Sequence, residues 1–237
     1  MERLRRGAEA MGIELSLAQL DQFQMYLEKL VEWNSSINLT SAGALEDAEM
    51  RHFLDSLTVS LAIPSGMLES GRFVDVGSGA GFPGIPLKIA FPGLRPSLVE
   101  ATAKKTAFLT LLLSDLGLCD VEIWTERSET LAQNPILRES FDFALVRAVG
   151  GVATLAELTL PFCRTGGVVV IQKGPEIGDE LDAGRRAIEA VGGFVKEVRQ
   201  VEVGGPGRKA TLLVLEKTSP TPPQYPRRPG VPQRRPL

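Results

Sequence analysis

Arg72-Phe73-Val74-Asp75-Val76-Gly77-Ser78-Gly79-Ala80-Gly81-Phe82-Pro83-Gly84-Ile85-Pro86 decides the architecture of this 237-residue chain. Arg72–Val76 reads as a short buried strand that runs into glycines, and Pro83–Phe91 suits a helix. A glycine-rich turn in that context lets the backbone approach a ligand with no Cβ in the way. In open α/β sheets such a ligand sits beyond the carboxyl ends of the strands, where strand order reverses.

Outward from the turn, strand and helix alternate. Ser97–Glu100 reads as a second strand, and Lys104–Leu116, with Phe108, Leu111, Leu112 and Leu116 in register, as a helix closed by Gly117. Val121–Trp124 and Phe141–Val146 follow as strands, then helix Val152–Phe162, strand Val168–Gln172 and helix Ile177–Val191. Val195–Val203 and Ala210–Leu215 have no helix between them, only Gly204-Gly205-Pro206-Gly207. The alternation predicts a mostly parallel seven-stranded α/β sheet covered on both faces. The short last loop requires an antiparallel final hairpin.

Upstream, Ser16 and Gln19 have capping-box spacing, and Leu20, Phe23, Tyr26, Leu27, Leu30 and Val31 recur at helical intervals. Asn34–Leu39 breaks the pattern and Leu45–Ile63 resumes it. The expected division is a helical cap over residues 1–70, a ligand-binding domain over 71–217 and a Pro-rich basic tail over 218–237. Seven prolines follow Lys217, so that tail is expected to be extended.

No apolar stretch approaches the ~18 residues of a membrane span. Cys119 and Cys163 lie far apart and His52 is the single histidine, so neither a disulfide framework nor a metal site is expected. A soluble protein of a reducing compartment fits these features, and the expectation is a cytoplasmic protein with no membrane association, taken as a monomer although these features do not set its oligomeric state. The net charge is −3, yet Lys217, Arg227, Arg228, Arg234 and Arg235 give the last 21 residues +5 and leave the preceding 216 at −8. That division suggests one local electrostatic contact by the tail, or a merely solvated tail, in place of a basic binding face.

Three readings compete for the glycine turn. Gly79-Ala80-Gly81-Phe82-Pro83-Gly84 matches the short dinucleotide pattern G-x-G-x-x-G, which alone is weak. The longer Asp75-x-Gly77-x-Gly79-x-Gly81 resembles the class I methyltransferase motif, whose cofactor is S-adenosylmethionine. An acid at Asp75 suits a ligand with an ammonium group, whereas Glu100, placed to accept ribose hydroxyls, serves either ligand. The third reading is a turn that holds nothing. The antiparallel ending favours the methyltransferase.

Several chemistries are excluded. Zinc catalysis or a histidine triad needs more His and Cys than the chain has, and no P-loop G-x-x-x-x-G-K-[ST] is present. Val146-Arg147-Ala148-Val149 stands where amino-group methyltransferases have Asn/Asp-Pro-Pro-Tyr/Phe. Carbon-5 pyrimidine methylation needs a nucleophilic cysteine, and Cys163 reads as a small core residue. Transfer to an atom that is already nucleophilic remains. Guanine N7 has a lone pair and no proton to lose, so positioning suffices.

Asn38-Leu39-Thr40, Arg51-His52-x-x-Asp55-Ser56-Leu57, the glycine turn through Ile85-Pro86, Lys104-Lys105-x-Ala107-Phe108-Leu109 and Arg147-Ala148 occur in this order. Together they closely resemble the bacterial 16S ribosomal RNA guanine-N7 methyltransferase family, formerly glucose-inhibited division protein B. The resemblance spans essentially the whole chain, including Tyr225-Pro226-Arg227-Arg228 in the tail. It implies methylation of one guanine in 16S ribosomal RNA or the small ribosomal subunit. It places cofactor contacts on Gly77, Phe82, Glu100, Ala101, Thr102, Ser128, Glu129 and Arg147, beside Asp75, Gly79 and Gly81 of the motif itself.

Each assignment has a plainer rival. Phe82 is a wall of the site or a core residue, Ser128-Glu129 an adenine contact or a helix cap, and Asn38 a substrate contact or a turn former. Arg147 meets cofactor, RNA phosphate or an acid. His52 and Asp55, three residues apart, either close the site or brace the cap. No catalytic residue is identified; Arg147, His52 and Asp55 are the candidates. Lys104, Lys105, Lys173, Arg208, Lys209, Arg227 and Arg228 are candidate RNA contacts. N7 faces a groove of A-form RNA that side chains barely enter, so the target base must be unstacked or in a loop. An assembled RNA or particle, assisted by the basic tail, then supplies recognition by shape. The alternatives are another acceptor for the same fold, or a non-catalytic RNA-binding assembly factor.

Overall fold

The computed structural model describes residues 1–147, 150–203 and 207–237. Ala148 and Val149 of the stretch after the fourth strand, and residues 204–206 of the hairpin loop, lie outside them. Seven strands form one sheet: β1 (Arg72–Val76), β2 (Arg95–Val99), β3 (Glu122–Trp124), β4 (Phe141–Val146), β5 (Cys163–Lys173), β6 (Gly193–Glu202) and β7 (Lys209–Lys217). Their order is β3-β2-β1-β4-β5-β7-β6. β1 to β5 pair in parallel, and β7 is antiparallel to both β5 and β6. The expected hairpin is therefore present, with its second strand inserted beside β5.

Eleven α-helical segments accompany the sheet among the described residues: α1 (Glu2–Ala10), α2 (Leu17–Asn34), α3 (Ala42–Leu45), α4 (Asp55–Leu57), α5 (Ser65–Ser70), α6 (Gly84–Ala90), α7 (Ala103–Asp115), α8 (Ser128–Leu131), α9 (Val152–Thr159), α10 (Gly178–Ala190) and α11 (Val231–Arg234). Alternation along the strands sorts their side chains onto two faces. Phe73, Phe143, Leu145, Val168 and Val170 share one core with Phe23, Tyr26, Phe53 and Phe108. Val74, Val76, Ala144, Val169 and Ile171 share the other with Val152, Leu155, Ala156 and Leu181. The N-terminal helices thus bury their apolar sides in the same core as α7.

Ser16 caps α2 as its spacing predicts: its hydroxyl accepts from Gln19 N, and Gln19 Oε1 accepts from Ser16 N. Leu45–Ile63 differs from the continuous helical pattern. It is a π-helical turn at Glu49–Leu54, then α4, then a 3-10 turn at Thr58–Ala62. Hydroxyls of Thr58 and Ser60 donate back to the Asp55 and Leu57 carbonyls at 2.6 and 2.7 Å, which tightens the chain locally.

Residues 218–237 are not an extended tail. Proline supplies no N–H, so the segment's carbonyls need donors from elsewhere. Arg138 donates to the carbonyls of Thr221, Pro222 and Tyr225, and Gln133 to those of Pro223 and Pro226. Arg227 closes on Glu157, a carboxylate with no exposed surface, through its backbone N at 2.8 Å and its guanidinium at 2.6 Å. Lys217 is also buried, its ammonium held by Glu139, the Leu160 carbonyl and Thr221. Two charges counted with the basic tail are therefore committed inside the fold. Among the described residues, no helix is long and apolar enough to cross a membrane.

Candidate cofactor site and adjoining basic cleft

A cavity of about 360 Å³ opens at the carboxyl ends of β1, β2 and β4, on the side of the sheet where α8 and α9 pack. Gly77, Glu100, Ala101, Ser128 and Glu129 line it, with Val76, Val99, Glu126, Arg127, Thr154, Leu155 and Leu158 beside them. Gly77 has φ of +75°, and no atom lies within 4 Å of where its Cβ would be. The bare backbone at that position therefore faces open space. Glu100 braces the turn: its carboxylate accepts from Gly79 N at 3.1 Å and from Thr102 N at 2.8 Å. Each oxygen keeps capacity for a further donor such as a ribose hydroxyl.

Asp75 lies fully buried beneath the turn and accepts from Gly84 N at 2.9 Å. A Cβ on Gly84 would sit 2.8 Å from Asp75 Oδ2, so this close approach requires glycine. The other carboxylate oxygen, Oδ1, is buried without a partner. Burial pushes the Asp75 carboxyl up to about 7, although the Gly84 N–H and the charge of Arg147 oppose the shift. An orphaned buried carboxylate oxygen and a glycine turn open to a cavity fit a ligand with an amino-acid end and an ammonium group.

Phe82 is one of the core residues rather than a lining residue. It stacks on Tyr26 at 5.3 Å and on His52 at 4.6 Å, both 11° from parallel, and the Arg147 guanidinium lies 4.8 Å from its ring centre. Gly81 N bonds to the Ser78 carbonyl inside the turn. Asp75, Gly79, Gly81, Phe82, Thr102 and Arg147 are accordingly not among the cavity's lining residues; the first five support its walls.

Arg147 lines a second cleft of about 480 Å³, with Asp55, Gln172, Lys173, Gly174, Arg208, Lys209 and Ala210. Its guanidinium pairs with Asp55 at 3.0 Å and lies 3.4 Å from His52 Nδ1. Burial pushes the Asp55 carboxyl up, and Arg147 pulls it back. Gln172 donates to the Asp55 carbonyl at 2.9 Å, while its own Oε1 is buried without a partner. Consecutive residues at the end of β4 line the two cavities, Val146 the first and Arg147 the second.

Among the candidate phosphate contacts, Lys104, Lys209 and Arg228 are exposed, and Lys105 and Arg208 half-buried. Lys173 pairs with Glu180 at 2.8 Å and the Gly150 carbonyl at 2.7 Å, and Arg227 with Glu157. The fold thus gathers Lys173, Arg208 and Lys209 around Arg147, and places Arg227 elsewhere. Sequence reasoning missed Gln172, Arg138 and Glu157. Only Glu157 left a signal: an acid in the middle of an otherwise apolar helix.

His52 sits in the π-helical turn with Nε2 2.7 Å from Thr40 Oγ1. A cation 3.4 Å from Nδ1 assigns that nitrogen as the acceptor, which leaves Nε2–H to donate to Thr40. Burial, then the charge of Arg147, hold its pKa down to about 4. A depressed histidine disfavours folding wherever the unfolded chain takes up the proton first. Stability should therefore fall as pH drops from about 6.5 to about 4 and level off below, by ~3 kcal/mol in total. Two-dimensional NMR of the imidazole is expected to show the neutral Nε2–H tautomer at pH 6; a midpoint near 6.5 in the folded protein would contradict this.

A parallel sheet in the order 3-2-1-4-5-7-6, reversed only at strand 7, with a cavity at its glycine turn, defines a class I methyltransferase. Solved structures agree on the fold: TYW2 of M. jannaschii in complex with AdoMet aligns with a TM-score of 0.55 at 17% identity, over 77% of this chain and 80% of that one. The Burkholderia thailandensis 1,6-didemethyltoxoflavin-N1-methyltransferase with bound S-adenosylhomocysteine aligns at 0.51 and 14%, over 70% of this chain and 79% of that one. The family model for rRNA small subunit methyltransferase G (GidB) matches residues 19–209. Ribosomal RNA small subunit methyltransferase G of Dehalococcoides mccartyi (strain CBDB1) is 47% identical over the whole of both chains, and that of Roseiflexus sp. (strain RS-1) 45%. The chain belongs to the rRNA small subunit methyltransferase G family.

Proposed function

We infer that this chain transfers a methyl group from S-adenosylmethionine to N7 of one guanine in the 16S ribosomal RNA of the small subunit. The observation that carries the reading is that consecutive residues at the end of β4, Val146 and Arg147, line the two cavities, since methyl transfer needs neighbouring cofactor and acceptor sites. In this reading Gly77, Glu100, Ala101, Ser128 and Glu129 touch the cofactor. Asp75, Gly79, Gly81, Phe82 and Thr102 hold those residues in place. S-adenosylmethionine, when bound, supplies a methyl group on a sulfonium centre that is open to direct displacement.

The chain's own residues then have to orient the base and exclude water. N7 attacks with its lone pair, so no side chain need remove a proton before transfer. Asp55, paired with Arg147, lines the acceptor side, and His52, held neutral and paired with Thr40, lies behind it 3.4 Å from the same guanidinium. Their role in this reading is to fix the Arg147 guanidinium at the boundary. Arg208 and Lys209 face RNA phosphate from the basic cleft, Lys173 stands beside them paired with Glu180, and Lys104 and Lys105 offer further cations in the first turn of α7. The partner is ribosomal RNA or the small subunit, and the protein acts as a monomer in the cytoplasm without a membrane.

The decisive experiment is transfer from labelled S-adenosylmethionine to small subunits that lack the modification, with the product nucleoside identified. Labelled 7-methylguanosine in 16S RNA supports the reading; transfer to another base or to no RNA overturns it. Arg208→Gln with Lys209→Gln should weaken subunit binding about tenfold at moderate salt. The slope of log K against log salt should shrink by about 1.4 to 1.8, the value for two lost phosphate contacts. An unchanged slope would remove the basic cleft from the RNA interface.

A further inference from the structure

The C-terminal segment folds back so that two of its residues, Gln233 and Pro236, complete the lining of the cofactor cavity. Three anchors hold that end of the chain against the cavity's own walls. Gly230 N donates to Glu129 Oε1 at 2.8 Å, the Pro232 carbonyl accepts from Thr154 Oγ1 at 3.0 Å, and Arg227 engages the buried Glu157. Glu129 and Thr154 are themselves lining residues, so the tail is bonded to the site at two points. Leu237 and Tyr225 pack against the core cluster that contains Leu155.

We propose that residues 230–237 are an integral wall of the cofactor site and contact the adenosine end of the bound cofactor, with Gln233 as a polar contact. This rests on the cofactor reading above. The remaining lining at that end suits a purine: Leu155 and Leu158 offer apolar surface, while Ser128 and Glu129 stand at the start of α8. An amide side chain carries one acceptor and two donors, the complement of an adenine edge that has both. Prolines at 229, 232 and 236 restrict the unbound chain, so little ordering entropy opposes the closed arrangement.

Calorimetric binding of S-adenosylhomocysteine to three full or nearly full chains tests the proposal. Deleting residues 230–237 keeps the Arg227–Glu157 pair, and Gln233→Ala with Pro236→Ala keeps every anchor. The deletion is expected to weaken binding at least tenfold and the double substitution three- to tenfold. Thermal midpoints of the double variant should stay within about 2 °C of the parent, which separates a binding role from a folding role. Adenosine alone should lose affinity in the same ratio, because the contact lies at its end of the ligand. Affinities within twofold of the parent in both variants would overturn the proposal while the cofactor reading stands. Failure of the parent itself to bind S-adenosylhomocysteine would instead overturn the cofactor reading, and the proposal with it.

Discussion

Gly77→Asp is expected to cost at least ~100-fold in S-adenosylhomocysteine affinity, about 3 kcal/mol, with the protein still folded. The position has φ of +75° and open space where a Cβ would project, so the new side chain enters the cavity without striking protein. Aspartate tolerates the left-handed region better than most residues, which keeps the folding penalty near ~1 kcal/mol. Inside the cavity the new carboxylate displaces ligand and confronts Glu100, which lines the same space. Isothermal calorimetry reads the affinity and circular dichroism the fold. Binding retained within fivefold would mean that the ligand does not pass over Gly77. Gly84→Ala is a useful contrast, because there the Cβ would meet Asp75 and Leu98 at 2.8 Å and the damage should appear as lost stability.

Arg227→Met should destabilise the protein by ~3–5 kcal/mol, because it leaves the Glu157 carboxylate inside the fold with a backbone N–H but no compensating charge. Glu157 has no exposed side-chain surface, and the guanidinium meets it at 2.6 Å. For a domain of this size such a loss lowers the thermal midpoint by roughly 10 °C. The cost comes mainly from uncompensated charge. Adding Glu157→Leu to Arg227→Met should therefore recover most of the stability, since an apolar pair of similar volume is often neutral at a buried position. Urea unfolding of the two single variants and the double closes the cycle. Additive losses would show that the pair is not coupled and that the tail is held by its other bonds.

The strand–turn–helix at Arg72–Ala90 was readable because short-range rules set it: apolar residues, then glycines where backbone must turn and approach closely, then a helix former. The hairpin ending was readable for a similar reason, since too few residues separate the last two strands for a crossover. The Ser16 cap and the burial of Cys163 follow from equally local signals. The 3-10 turn after α4 was not legible, because Thr58 and Ser60 tighten a segment whose periodicity still looks helical. The tail misled for a related reason. Proline content predicts extension in isolation, and says nothing of donors such as Arg138 and Gln133, about ninety residues away along the chain.

Sequence alone therefore determined the sheet, its reversed strand, the glycine turn and the acid that follows β2, since each depends on residues within one strand–loop–helix unit. The tertiary structure decided which charges are free to act. Whether Arg147 or Arg227 meets RNA or a carboxylate depends on which distant acid the fold brings within about 3 Å, and spacing along the chain carries no record of that. It also decided that Phe82 belongs to the core and that Gln233 and Pro236 line the cavity at the glycine turn. Both are outcomes of packing, in which residues from separate elements compete for the same buried space and satisfy one another's polar groups.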